Sequence, residues 1–169
     1  MNLSEELGFR NALANPSHEA LLNVYHAASQ ARKRSAEFFH SYGVTDVQFN
    51  LMMLLRHQCD AHGGLSQVKL SRMMLVNRAN ITAIIDRMEK AGLVTRSAVP
   101  GDRRLKSVHL TARGGRRLND IEGDYQKEIR SIMEVLGAEE VEQLIRMLEK
   151  IRANLKKRNP AGSSRNDAL

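Results

Sequence analysis

Apolar side chains recur along most of this chain at the three-and-four spacing of helices that bury one face, and the pattern breaks once, between positions 93 and 111. Asn15-Pro16-Ser17 marks a helix start, with proline in a first turn where its missing N–H costs nothing. Ala20, Leu21, Val24, Tyr25, Ala28 and Ala31 then keep helical spacing towards Phe38 and Phe39, and Gly43 is the predicted stop. Thr45-Asp46-Val47-Gln48 is a capping-box pattern, and the helix it opens carries Leu51, Leu54 and Leu55 on one face. Asp60 to Gly64 reads as a loop. Ser66 is placed to cap a third helix through about Met74, and Asn77 a fourth. In that fourth helix Ile81, Ile84, Ile85 and Met88 form the buried stripe, which leaves Arg78, Asn80, Thr82, Ala83 and Arg87 on the opposite side.

Gly92 ends the fourth helix, and the period then changes to two. Leu93–Ala98 and Leu105–Thr111 read as two strands, with Val108 and Leu110 alternating against Ser107 and His109. Pro100-Gly101 supplies the turn, and Asp102-Arg103-Arg104 stands at its tip. Helical spacing resumes in Leu118, Ile121, Tyr125, Ile129, Ile132 and Met133, in a helix predicted from about Ala112 to Leu136. Gly137 breaks it, and Val141, Leu144, Ile145, Leu148, Ile151 and Leu155 stripe a last one. Beyond Lys157 the composition is that of a frayed tail. A short helix, a turn, a helix with one small, polar, cationic face and a hairpin tipped by two guanidinium groups together suit duplex DNA. The helix offers a probe for the major groove and the hairpin one for the minor groove.

Charge sharpens this reading. The 169 residues carry a formal net charge of +7, and the excess is local. Between Ser66 and Lys106 there are nine basic residues against three acidic ones, Asp86, Glu89 and Asp102. A single cysteine, Cys59, excludes an intrachain disulfide and fits a reducing compartment. No apolar run approaches the roughly 20 residues that span a bilayer, and residues 1–15 are unlike a secretory signal, so the expected location is the cytoplasm, away from membranes. Enzymatic function is not expected, because the chain has no phosphate-cradling glycine loop, no nucleophile elbow and no two-histidine zinc helix.

The order and spacing of several motifs resemble the MarR family of bacterial transcription regulators. They are Leu65-Ser66; Val76-Asn77-Arg78-Ala79-Asn80-Ile81-Thr82; Ile85-Asp86-Arg87-Met88-Glu89-Lys90-Ala91-Gly92-Leu93-Val94; Asp102-Arg103-Arg104; and Val108-His109-Leu110-Thr111. The resemblance implies a mainly α fold with a small β-wing, a winged helix-turn-helix DNA-binding lobe flanked by N- and C-terminal dimerisation helices. It divides the chain into an N-terminal segment and dimerisation helix (1–44), the DNA-binding domain (45–111), C-terminal dimerisation helices (112–157) and a flexible tail (158–169). Carried over position by position, it makes Arg78, Ala79, Asn80, Thr82 and Ala83 the surface facing the major groove and sets Arg87 nearer the phosphates. Arg103 and Arg104 become wing residues, with Arg104 the first choice of minor-groove probe. Asp86 is implied to pair with the second wing arginine, Arg104, and Asp102 to orient the tip. Its structural alternative is an ordinary surface carboxylate near Arg87 and Lys90. Leu75-Val76 departs from the family, which often has glycine in that turn.

The function so implied is a sequence-specific regulator, a ligand-responsive repressor binding a pseudopalindromic operator as a homodimer. The alternative is an architectural, nucleoid-associated protein of low sequence preference. Partners are double-stranded DNA, a second copy and a small-molecule effector, aromatic if it follows the family; no cofactor and no metal is expected. His57, Cys59 and His62 form a compact group, but a closed zinc site needs a fourth ligand and Asp60 alone is near. Cys59 reads by default as a small buried hydrophobe. Met52-Met53 and Met73-Met74 read as core before they read as a pocket lining, and Phe38, Phe39, His40 and Tyr42 suit either a dimer core or an aromatic-ligand pocket.

Overall fold

The computed structural model describes residues 2–11, 13–59, 63–74, 78–99 and 102–158, without the side chains of Arg78, Val99 and residues 102–105. The chain forms two compact units, one up to Ile121 and one from Glu122 onward. Helix α6 (Ala112–Met133) therefore contributes its first part to the first unit.

In the first unit the helix starts follow from local chemistry. A short helix, α1 (Leu3–Glu6), has no counterpart in the sequence reading, although Asn2 and Glu5 close a reciprocal capping box at its start. α2 (Pro16–Ser41) opens where Asn15 Oδ1 accepts from the amides of Ser17 and His18. It ends at Gly43, whose φ of +62° suits a residue without Cβ. α3 (Asp46–His57) opens on the Thr45–Gln48 capping box. Phe39 and Phe49 join α2 to α3 with ring centroids 4.8 Å apart, and Leu51, Met52 and Leu55 complete the buried face. Leu54 is half-buried.

A strand that the periodicity misses, β1 (Leu65–Ser66), precedes α4 (Gln67–Met74). Ser66 serves both: it pairs with Ser107 in the sheet, and its Oγ accepts from the amide of Lys69 as a cap. α5 (Arg78–Lys90) follows; the turn with Leu75-Val76 and the Asn77 cap lie outside the described residues. The hairpin is β2 (Val94–Val99) and β3 (Asp102–Leu110), and the antiparallel sheet has the order β1-β3-β2. Asp102, Arg103 and Arg104 thus begin the second strand, which the sequence reading starts only at Leu105, and Asp102 pairs with Val99 across a register shift. Pro100-Gly101 lies outside the described residues. Ile81, Ile85, Met88, Val108, Leu118 and Ile121 are all fully buried, so α5, the sheet and the first part of α6 share one core.

The joint between α5 and α6 is made by one side chain. Thr111 Oγ1 donates to the carbonyl oxygen of Gly92 at 2.7 Å, lies 3.1 Å from that of Leu93, and accepts from the Gly114 amide at 3.0 Å. Gly114 packs so closely that a Cβ there would overlap the Leu93 carbonyl oxygen. In the second unit, α6 ends at Met133, three residues before the predicted Leu136, and α7 (Ala138–Arg158) takes in Arg158, the first residue of the expected tail. Residues 159–169 lie outside the described residues. No residue of α7 is buried; Ile145, Ile151 and Leu155 stand exposed.

Gly114→Ala should destabilise the chain by about 2–3 kcal/mol, since backbone and not a flexible side chain must yield. Gly115→Ala meets nothing nearer than Arg56 Nη2 at 3.8 Å and should be neutral or gain up to about 1 kcal/mol from helix propensity. Urea denaturation of the two variants checks the contrast.

Candidate nucleic-acid interface

The two faces of α5 divide sharply. Ile81, Ile84, Ile85 and Met88 are buried, while Ala79, Asn80, Thr82, Ala83, Asp86 and Arg87 are exposed. The spacing puts a cationic and amide-bearing surface of short side chains outward, with nothing larger than Arg87 among them. An open groove of about 450 Å³ runs between α5 and the start of α3, lined by Asn80, Ala83 and Arg87 on one side and Asp46 and Gln48 on the other. Arg78 opens α5, and Arg103 and Arg104 stand in the first residues of β3; their backbone is described and their side chains are not.

What orients the hairpin against α5 is Arg96, which the sequence reading counts only as a basic residue. Its Nη1 donates to Glu89 Oε2 at 2.6 Å and its Nη2 to Asp86 Oδ1 at 2.6 Å, and its backbone amide donates to Glu89 Oε1 at 3.0 Å. Gln67, with its amide oxygen turned inward, accepts from Nε at 3.0 Å and Nη2 at 3.1 Å. One guanidinium therefore joins α4, α5 and β2. The Arg96 side chain is 14% exposed, against 39% and 51% for its carboxylate partners, so the fork is shielded while the acids keep water. Asp86 links α5 to the hairpin through Arg96 on β2; the side chain of Arg104, the partner that the resemblance implies, lies outside the described residues. The available signal was Asp86 and Glu89 at i, i+3 on one helix face, with an arginine in the strand that returns beside it.

Other candidate residues take plainer positions. Cys59 is exposed and not a buried hydrophobe; Asp60 and His62 lie outside the described residues. Met52 is core, whereas Met53, Met73 and Met74 line a cavity of about 560 Å³ beside His57. Phe38 and Tyr42 pack their rings 5.2 Å apart next to buried Phe39. Among the described residues no helix is long and apolar enough to cross a membrane.

A helix-turn-helix pair carrying a hairpin defines a winged-helix protein, and comparison with known proteins agrees. The MarR family profile matches residues 44–106. Over 117 residues the chain is 34% identical to the HTH-type transcriptional regulator MhqR of Bacillus subtilis (strain 168), covering 69% of this chain and 78% of that protein. A probable transcriptional regulator from Pseudomonas aeruginosa superposes with a TM-score of 0.63 at 26% identity, covering 76% of this chain and 96% of that one. A mutant E. coli MarR complexed with operator DNA shares the fold with a TM-score of 0.70 at 22% identity, covering 83% and 99%. The chain belongs to the MarR family, and it is a DNA-binding transcription regulator of the winged helix-turn-helix class.

Arg96→Ala should cost about 2 kcal/mol, the value of charge-assisted bonds discounted for partners that keep solvent. Arg96→Lys should recover less than half, because an ammonium cannot bridge two carboxylates and an amide as the planar fork does. Denaturation, together with faster amide exchange confined to β2 and β3, is the measurement.

Proposed function

We propose that this regulator acts as a homodimeric, ligand-responsive repressor that reads a pseudopalindromic operator. The observation that carries the reading is the outward face of α5, where Ala79, Asn80, Thr82, Ala83 and Arg87 are exposed while the alternate stripe is buried. Small side chains let the helix approach base edges. Asn80 offers a bidentate contact to adenine and Arg78 one to guanine, and Arg87 lies nearer the phosphates. Arg103 and Arg104 enter the minor groove, Arg104 the deeper, with Asp102 orienting the tip. Residues 45–111 carry this recognition, and 112–157 with the helix before residue 44 make the dimer.

The apolar stripe of α7 supports the dimer, since Ile145, Ile151 and Leu155 stand about half exposed in the described chain and a second copy is the commonest partner for such a face. Two reading helices one turn of B-form DNA apart fit half-sites about 10 base pairs apart. The E. coli relative solved with operator DNA supports the same mode. An effector that fits one separation of the two lobes shifts the population away from the operator-matching form and relieves repression in the cytoplasm. No catalytic turnover is required.

Binding to an operator fragment selected from genomic DNA, measured against random duplex at several salt concentrations, tests the reading. Log affinity should fall linearly with log salt. Asn80→Ala and Arg78→Ala should each lose about 1–3 kcal/mol of discrimination at one base position, and Arg104→Ala should lose affinity mainly at flanking A/T-rich steps. Equal affinity for operator and random duplex would favour an architectural protein instead. A monomer by solution scattering, or no salt-sensitive complex at all, would sink the proposal.

A further inference from the structure

The joint between α2, α5 and α6 holds a second basic cluster that DNA reading does not use. A cavity of about 470 Å³ is lined by Arg113, Arg116, Arg117 and Asp120 from α6, facing Val44 and Leu93. The arginines fall at i, i+3 and i+4, which brings them to one face of the helix. Arg117 is held by donating from Nη2 to the Tyr42 carbonyl oxygen. Arg113 and Arg116 have no hydrogen-bond or ion-pair partner among the described residues, and neither does Asp120. Backbone seats the cluster: Arg117 Nη2 lies 3.6 Å from where a Cβ of Gly43 would stand, and Arg113 lies 3.7 Å from that of Gly92.

Three guanidiniums and one carboxylate leave a formal surplus of two positive charges (+3 − 1) around one cavity. Like charges on one helix face repel, and a dianion placed between Arg113 and Arg116 matches the surplus. We propose that this cavity binds a small phosphomonoester, with the phosphoryl group between Arg113 and Arg116 and the organic body against Val44 and Leu93. A phosphoryl group carries about −1.5 to −2 at pH 7 and accepts bidentate guanidinium bonds, whereas a carboxylate would leave one cation unmatched. The volume falls in the range of small-ligand sites and leaves a bare phosphate loose. The groove beside Asn80, Ala83 and Arg87 shares no lining residue with it, so the site is separate from the face of α5 that reads DNA.

Calorimetric titration of the full chain without DNA, at fixed ionic strength, tests this. Glycerol 3-phosphate should bind saturably, inorganic phosphate more weakly, and acetate at least about tenfold more weakly than glycerol 3-phosphate. Arg113→Gln and Arg116→Gln, both at exposed positions and checked for folding by circular dichroism, should weaken glycerol 3-phosphate about tenfold. Asp120→Asn removes the competing carboxylate and should strengthen it. Arg87→Gln, on the outer face of α5, should leave the affinity for glycerol 3-phosphate unaltered in this DNA-free titration, whatever it does to DNA binding. No saturable heat from either phosphate, or equal losses in Arg87→Gln and Arg113→Gln, would overturn the site. Displacement of glycerol 3-phosphate by duplex DNA, with matching loss of DNA affinity in Arg113→Gln, would also overturn it, making the cluster a DNA-backbone contact.

Discussion

The placement of the hairpin against α5 depends on one guanidinium. A two-stranded hairpin is marginal alone, and here its third strand is only two residues long, so the sheet cannot by itself fix the angle at which the tip projects. Arg96 supplies what is missing. It ties the first residue of α4, the last turns of α5 and the first strand of the hairpin through hydrogen bonds in three directions. The arrangement makes use of two properties of arginine that lysine lacks, a planar fork and a charge that survives partial burial. Both acids that hold it project from α5, so the helix that presents Asn80 and Arg87 outward also sets the position of the wing.

The same helix shows how electrostatics and packing divide the work. Its apolar stripe contributes Ile81, Ile85 and Met88 to the core, which fixes its rotation about its own axis and hence which side chains face out. Asp86 and Glu89 sit between the two faces and fix the hairpin instead. In the second unit there is no comparable division. Among the described residues α7 has none that is buried; Val141, Leu144 and Leu148 are half-buried, and Ile145, Ile151 and Leu155 are exposed.

Legibility in the sequence followed the range of the interactions. Every long helix could be read because its signal is local: the Thr45–Gln48 box, proline at the start of α2, and the isoleucine stripe of α5 act within a few residues. The hairpin could be read from its period, but not the onset of its second strand, since Asp102 to Arg104 carry no alternation of their own and owe their strand geometry to pairing. β1 is invisible because two residues have no period; Leu65 joins the sheet only through Val108, far along the chain. α1 had a legible capping box in Asn2 and Glu5, passed over because no apolar repeat follows it. Of the interface, the outward face of α5 was legible and Arg96 was not, since nothing local distinguishes a strand arginine that grips two helix acids from one that is solvated.

Thr111 has a mechanical consequence. The Thr111 hydroxyl and amide both span the exit of one helix and the entrance of the next, and Gly114 leaves no gap behind them. The opening turn of α6 is thereby tied to the tail end of α5, and Glu89 and Asp86 extend the same chain of bonds to the hairpin, one continuous linkage from α6 to β2.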